Sequence, residues 1–270
     1  MRQLDHAVAV VTGAASGIGR ATAQALAAKG CAVALADVDA AGLQATADSI
    51  DGVHVSTHIV DVADKDRMRA FADEVMAEHG RVNIVVNNAG VAVSAPFEDH
   101  SLEDFEWLIG INMWGVIYGC KFFLPHVQAS GWGCFVNLSS MFGLTGVPMQ
   151  TSYCASKFAV RGFSEALAIE LANQNIDVIN VHPGGIRTNI ARNSRGRDGR
   201  MRARAIEFFD RFGMAPERAA AQIVGGIEHR RQRVVITAEA RVTDVVKRVY
   251  PAIPRRLVGW AVRRSGLLRS

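Results

Sequence analysis

Paired cysteines are the plainest absence in this chain of 270 residues. Its four cysteines, Cys31, Cys120, Cys134 and Cys154, are scattered and form no C-x-x-C pair. That argues against a thiolate metal site or a disulfide framework and fits reduced thiols in a cytosol; no metal is expected. No uninterrupted apolar run reaches the roughly 18 residues that a bilayer-spanning helix needs. The opening MRQLDHAVAVVTG places Asp5 and His6 where a secretory leader is apolar, so a cytoplasmic location is expected. Base-reading motifs and interleaved basic and aromatic patches are missing, which sets nucleic acid aside as a partner. Neither an internal repeat nor a long polar linker divides the chain.

What is present is apolar and regularly spaced. Hydrophobic residues make up 49% of the sequence, enough for a sizeable core. Short runs rich in Val and Ala alternate with segments of helical period: AVAVVT (7–12), CAVALAD (31–37), VHVSTHIVD (53–61), VNIVVNNAG (82–90), GCFVNLSS (133–140), IDVINVHPGG (176–185) and RVVIT (233–237). Runs this apolar suit strands covered on both faces. The alternation predicts an α/β fold, a doubly wound, Rossmann-like parallel sheet of about seven strands with helices on both faces. A helix is expected from about 152 to 173. Residues 1–240 read as one domain. Within it the irregular, Arg-rich segment 187–213 reads as a substrate lid.

Residues 241–270 hold eight Lys or Arg against Asp244 alone, a local charge of +7 that leaves −3 on the remainder. This basic extension is expected to be a solvated terminal segment. After Pro254 it could form an amphipathic helix, and contact with a membrane surface is the lesser reading.

Three places carry chemistry. Gly13, Gly17 and Gly19 stand at the end of the first strand and the start of the first helix, with Ser16 and Ile18 among them. Glycines there allow a tight turn and bring a pyrophosphate close to a helix N-terminus. Asp37 closes the second strand, where a carboxylate accepts bonds from ribose hydroxyls and repels a 2′-phosphate. Nothing basic sits at Ser16 or Val38, so NAD is favoured over NADP. In SYCASKF, Tyr153 and Lys157 lie four apart and share a helix face. A free phenol titrates near pH 10, so about one part in a thousand is ionised near pH 7. A buried ammonium nearby is expected to lower that pKa.

Taken together, TGAASGIG, NNAG (87–90), Asn112, NLSS (137–140), YCASK (153–157) and HPGGIRT (182–188) resemble the short-chain dehydrogenase/reductase family. The resemblance runs from about residue 7 to 188. It implies Tyr153 as acid–base residue, Lys157 as its support and as a ligand of the nicotinamide ribose, and a catalytic Ser about thirteen positions before the Tyr, which selects Ser140 over Ser139. It implies that Asn112 anchors a water between Lys157 and solvent. Asp61 and Val62 would flank the adenine, and Asn88, Ala89 and Gly90 would lie along the cofactor. Pro183, Gly184, Ile186 and Thr188 would approach the nicotinamide. His182 reads as a strand residue. The implied activity is hydride transfer between NAD(H) and a secondary alcohol or ketone, by a homodimer or homotetramer acting on a small molecule. Val91, Val93, Met141, Phe142, Val147 and Met149 suggest a hydrophobic substrate. The alternatives are an NADP-dependent keto reductase, with lid arginines holding an acyl carrier, and a dinucleotide-binding regulator without turnover.

Overall fold

The computed structural model describes residues 1–196 and 199–252. In β1 (Val8–Thr12), Ala9 and Val11 enter one buried cluster and Val10 another, because successive side chains of a strand leave opposite faces. Both faces therefore need cover, and both have it. The cluster under Ala9 and Val11 is filled by Ala23 and Leu26 of α1 (Gly17–Ala27) and by Ile223 and Ile227 of α8 (Pro216–Glu228). The opposite cluster takes Met68, Phe71 and Val75 of α3 (Lys65–His79), Val116, Phe123 and Val127 of α5 (Gly115–Ala129), and Val160 of α6 (Thr151–Glu170). The Phe71 and Phe123 rings meet edge to face at 5.4 Å; truncating either to Ala is expected to cost about 3–5 kcal/mol.

The remaining strands are β2 (Ala32–Asp37), β3 (Val55–Ile59), β4 (Ile84–Asn87), β5 (Gly133–Leu138), β6 (Ile176–Pro183) and β7 (Arg233–Ile236). All pairings are parallel, in the order β3-β2-β1-β4-β5-β6-β7. The order reverses between β1 and β4, which opens a crevice above the carboxyl ends of the strands. The other α-helices among the described residues are α2 (Ala40–Ala47), α4 (Leu102–Ile109), α7 (Gly199–Phe212) and α9 (Ala238–Val249).

Three expectations need correction. β3 is an edge strand whose residues alternate between cover and solvent, so its apolar run did not mark burial on both faces. The 152–173 helix begins at Thr151 and ends at Glu170. The segment 187–213 is irregular only in its first part, since α7 occupies Gly199–Phe212. No uninterrupted apolar run spans the helical stretch Leu102–Ala129, yet an 18-residue window within it has a mean hydropathy of 1.3, apolar enough by length and composition to cross a membrane. Few charges interrupt it because part of it lies against the sheet: Leu108, Val116, Phe123 and Val127 are buried there. Of the basic extension, α9 and residues up to 252 are described; the amphipathic helix expected after Pro254 lies outside the described residues.

Candidate active site

A cavity of about 920 Å³ lies over the carboxyl ends of the strands. The turn after β1 forms one wall. Gly13 sits at φ +66, and a Cβ on it would fall 2.7 Å from Nδ2 of Asn88. That amide donates to the carbonyls of Thr12 and Gly13 at 2.9 and 3.2 Å, tying the end of β4 to the glycine turn. Ser16, the N-cap of α1, makes no side-chain capping bond, and Ser16, Gly17 and Ile18 line the cavity. The first N–H groups of a helix have no partner within it, so this wall suits an anionic ligand. Asp37 accepts the N–H groups of Ala15 and Asp39 at 2.9 and 3.1 Å, which fixes its carboxylate at the cavity edge.

At the other end, two adjacent serines follow β5, and both line the cavity. The Ser139 hydroxyl donates to the carbonyl of Lys157 at 2.8 Å and serves the packing of α6. Ser140 lines the cavity, and its hydroxyl accepts the N–H of Phe142 at 3.1 Å. Tyr153 and Lys157 share one face of α6, with the Lys157 nitrogen 5.6 Å from the Tyr153 ring centre. Lys157 is buried, and its ammonium donates to the carbonyl of Leu138 at 2.9 Å.

The protein alone does not acidify the phenol as the spacing suggests. Burial pushes Tyr153 up to about 12, and the hydrogen bond with Ser140 offsets only part of this. Burial likewise brings Lys157 down to about 8. Desolvation, which disfavours each charged form, outweighs attraction between them. Behind Ser140, His182 is fully buried with Nδ1 3.1 Å from the Ser140 carbonyl oxygen. Burial lowers its pKa to about 4, so it is neutral and its Nδ1–H donates to that oxygen.

Of the residues expected at the site, Gly13, Ser16, Gly17, Ile18, Asp37, Asp61, Val62, Asn88, Ala89, Gly90, Ser140, Tyr153, Lys157, Pro183, Gly184, Ile186 and Thr188 line this one cavity. Gly19 does not. A Cβ on it would fall 2.1 Å from the carbonyl oxygen of Gly13, so its role is packing of the turn. Asn112 does not reach the cavity either. It lies in a π-turn, Gly110–Trp114, between α4 and α5, completely buried. Its amide oxygen accepts the Val91 N–H at 2.8 Å, and its nitrogen donates to the Val91 carbonyl at 2.9 Å. Asn112 thus holds the loop beside Gly90 through backbone bonds.

Among the expected pocket residues Val91, Met141 and Phe142 line the cavity, whereas Val93, Val147 and Met149 do not. Val93 is bridged to Arg195 of the segment 187–213. Among the described residues of segment 187–213, Arg192 pairs with Asp210, Arg195 pairs with Asp104 at 2.9 Å while stacking over Trp107, and Arg202 donates to the Gly196 carbonyl at 2.9 Å. Phe208, Phe209 and Phe212 of α7, within the segment 187–213 expected over the site, line the cavity too, and Glu239 of α9 was overlooked. The spacing of the three phenylalanines on one helix face was a signal that could have found α7.

This arrangement defines a doubly wound α/β protein of the dinucleotide-binding type, with a Ser–Tyr–Lys constellation at the crevice. A short chain dehydrogenase family model matches residues 7–198, and the chain belongs to that family of oxidoreductases. It is 44% identical to "Putative oxidoreductase SadH" of Mycobacterium tuberculosis over 270 residues, 98% of each chain. It is 40% identical to the D-threitol dehydrogenase of Mycolicibacterium smegmatis over 190 residues, 70% of this chain and 73% of that one. A solved short-chain dehydrogenase/reductase from Burkholderia phymatum, in complex with NAD, superposes with a TM-score of 0.87 at 28% identity, covering 95% of this chain and 97% of its own.

Proposed function

We propose that the protein transfers hydride between NAD(H) and a hydrophobic secondary alcohol or ketone. The observation that carries this reading is the convergence of Ser140, Tyr153 and Lys157 on the cavity that the glycine turn also lines. The residues fit a dinucleotide: Gly13, Ser16, Gly17 and Ile18 would hold the pyrophosphate, and Asp37 the adenosine ribose. Asp61 and Val62 would flank the adenine, with Ala89, Gly90, Pro183, Gly184, Ile186 and Thr188 along the remainder. When bound, the nicotinamide supplies the hydride acceptor or donor and, oxidised, a positive charge.

The protein's own residues do the rest. Ser140 holds the substrate oxygen by hydrogen bonding. Tyr153, protonated in the protein alone, is set to donate its proton to a carbonyl oxygen as the carbon is reduced. In the oxidative direction the phenolate takes the hydroxyl proton, and the positive end of the site must offset the cost of burying that charge. Lys157, held by the Leu138 carbonyl, fixes a cation beside the phenol. Met141, Phe142 and Phe209 give the substrate end an apolar wall, which supports a hydrophobic substrate. Exposed Leu102, Trp114 and Ile169 support a homodimer or homotetramer, and four buried free cysteines are consistent with a cytoplasmic setting.

Fluorescence titration with NADH and NADPH, followed by a panel of secondary alcohols with each oxidised dinucleotide, tests this reading. Tighter NADH binding and turnover of apolar alcohols are expected. Replacing Asp37 with Ser should shift preference toward the phosphorylated cofactor by about tenfold, from loss of the ribose bonds and the repulsion. Equal affinities in the wild-type protein would contradict the assignment of NAD.

A further inference from the structure

Three carboxylates line the cavity: Asp37, Asp61 and Glu239. The first two belong to the ends of β2 and β3, while Glu239 comes from the first turn of α9 and reaches across to the end of β6. Its Oε1 accepts the N–H of Gly185 at 3.0 Å. A Cβ on Gly184 would fall 2.6 Å from the same oxygen and 2.1 Å from Oγ1 of Thr237. The Thr237–Glu239 turn therefore closes directly on the Gly184–Gly185 turn.

This closure is held under strain. Thr237 is buried at φ +79, a backbone conformation that a β-branched residue rarely adopts. Such outliers persist where surrounding structure over-determines them, often at ligand sites. Burial works against ionisation of Glu239, but the Thr237 hydroxyl and the N–H groups of Gly185 and Glu239 outweigh it and hold the carboxyl below its usual range. The placement of an acid in the first turn of a helix favours the same charge state.

Glu239 is exposed at the cavity edge, with one aromatic edge close to its carboxylate. Cε1 of Phe209 and Oε1 of Glu239 lie 3.5 and 3.6 Å from the point a Gly185 Cβ would occupy. Gly185 is three residues beyond His182, whose ring touches the Ser140 carbonyl. A ligand that fills this end strips water from a charge, which is unfavourable unless the ligand returns a hydrogen bond.

We propose that Glu239 determines substrate specificity: its carboxylate accepts a hydrogen bond from a second hydroxyl close to the reacting carbinol, so the site prefers neutral diols with an apolar tail and rejects hydroxy acids. The inference rests on the reading of the cavity as an alcohol-binding site, and its test separates the two. Dissociation constants of octane-2,3-diol, 2-octanol and 3-hydroxyoctanoate are measured by calorimetry on the full chain with saturating NADH, for the wild type, Glu239→Gln and Glu239→Asp. The wild type should bind the diol about tenfold more tightly than 2-octanol, and the hydroxy acid most weakly, as one charge-assisted hydrogen bond gives. Glu239→Gln should remove most of the diol preference and admit the acid, while Glu239→Asp keeps the wild-type order. An unchanged order in a folded Glu239→Gln, or no binding of any of the three by the wild type, overturns the inference. Turnover on the same panel reports separately: a diol preference lost in Glu239→Gln but no NADH-linked oxidation or reduction would sink the dehydrogenase reading and leave the role of Glu239 standing.

Discussion

The Lys157 ammonium stands 5.6 Å from the centre of the Tyr153 ring, one helical turn further along α6, with its nearest acceptor the carbonyl of Leu138 at 2.9 Å. The cation is therefore fixed by the end of β5 and not by the phenol. Strand and helix together set its distance to the ring, and burial leaves Tyr153 protonated up to about 12. The pair is poised to give a proton, and taking one requires further positive charge.

Replacing Lys157 with Met should separate stability from activity. A buried cation is exchanged for an apolar chain of similar length, so the thermal midpoint should hold or rise. Turnover should fall by at least about a hundredfold, as for loss of an acid–base support. Calorimetric melting and steady-state kinetics check this; a parallel loss of both would make Lys157 structural.

Asn112→Leu should be costly in another way. It leaves the Val91 N–H and carbonyl without the partners they have at 2.8 and 2.9 Å, and orphaning two part-buried groups costs about 2–4 kcal/mol. Chemical denaturation should register that loss. If stability is untouched while turnover falls, the side chain acts on the reaction directly and not through the loop.

His182 makes stability depend on acid. Its folded pKa is about 4 against an unfolded value near 6.5, so the unfolded chain binds more protons between those limits. Stability must then fall as the pH drops from about 6.5 to 4, by up to about 3 kcal/mol for this one group. His182→Gln, which keeps a donor for the Ser140 carbonyl, should flatten that part of the profile. Urea midpoints measured from pH 7.5 to 4.5 for both proteins provide the comparison, and identical slopes would contradict the assignment.

Much of the site was legible because its residues sit where strands end. Ser140, Asp37 and Asn88 each follow or close an apolar run, and strand ends in a parallel sheet meet at one crevice. Gly19 and Asn112 hold the wall of the cavity and do not line it, a distinction that sequence position does not make. The pKa of Tyr153 was misjudged because charge spacing along a helix is visible in sequence but desolvation is not. Glu239 was invisible because it follows the last strand, far in sequence from every motif. Only the closure of the Thr237–Glu239 turn on Gly184 brings it to the site.

The most direct measurement is the Tyr153→Phe variant, assayed for NADH-linked turnover of a secondary alcohol or ketone and for NADH affinity by fluorescence. Removing the phenolic hydroxyl should lower turnover by about a thousandfold or more, as expected for a proton-transfer group, with affinity within about twofold of wild type because the ring and its contact with Phe142 at 6.1 Å remain. Retention of turnover in that variant would contradict proton transfer through Tyr153.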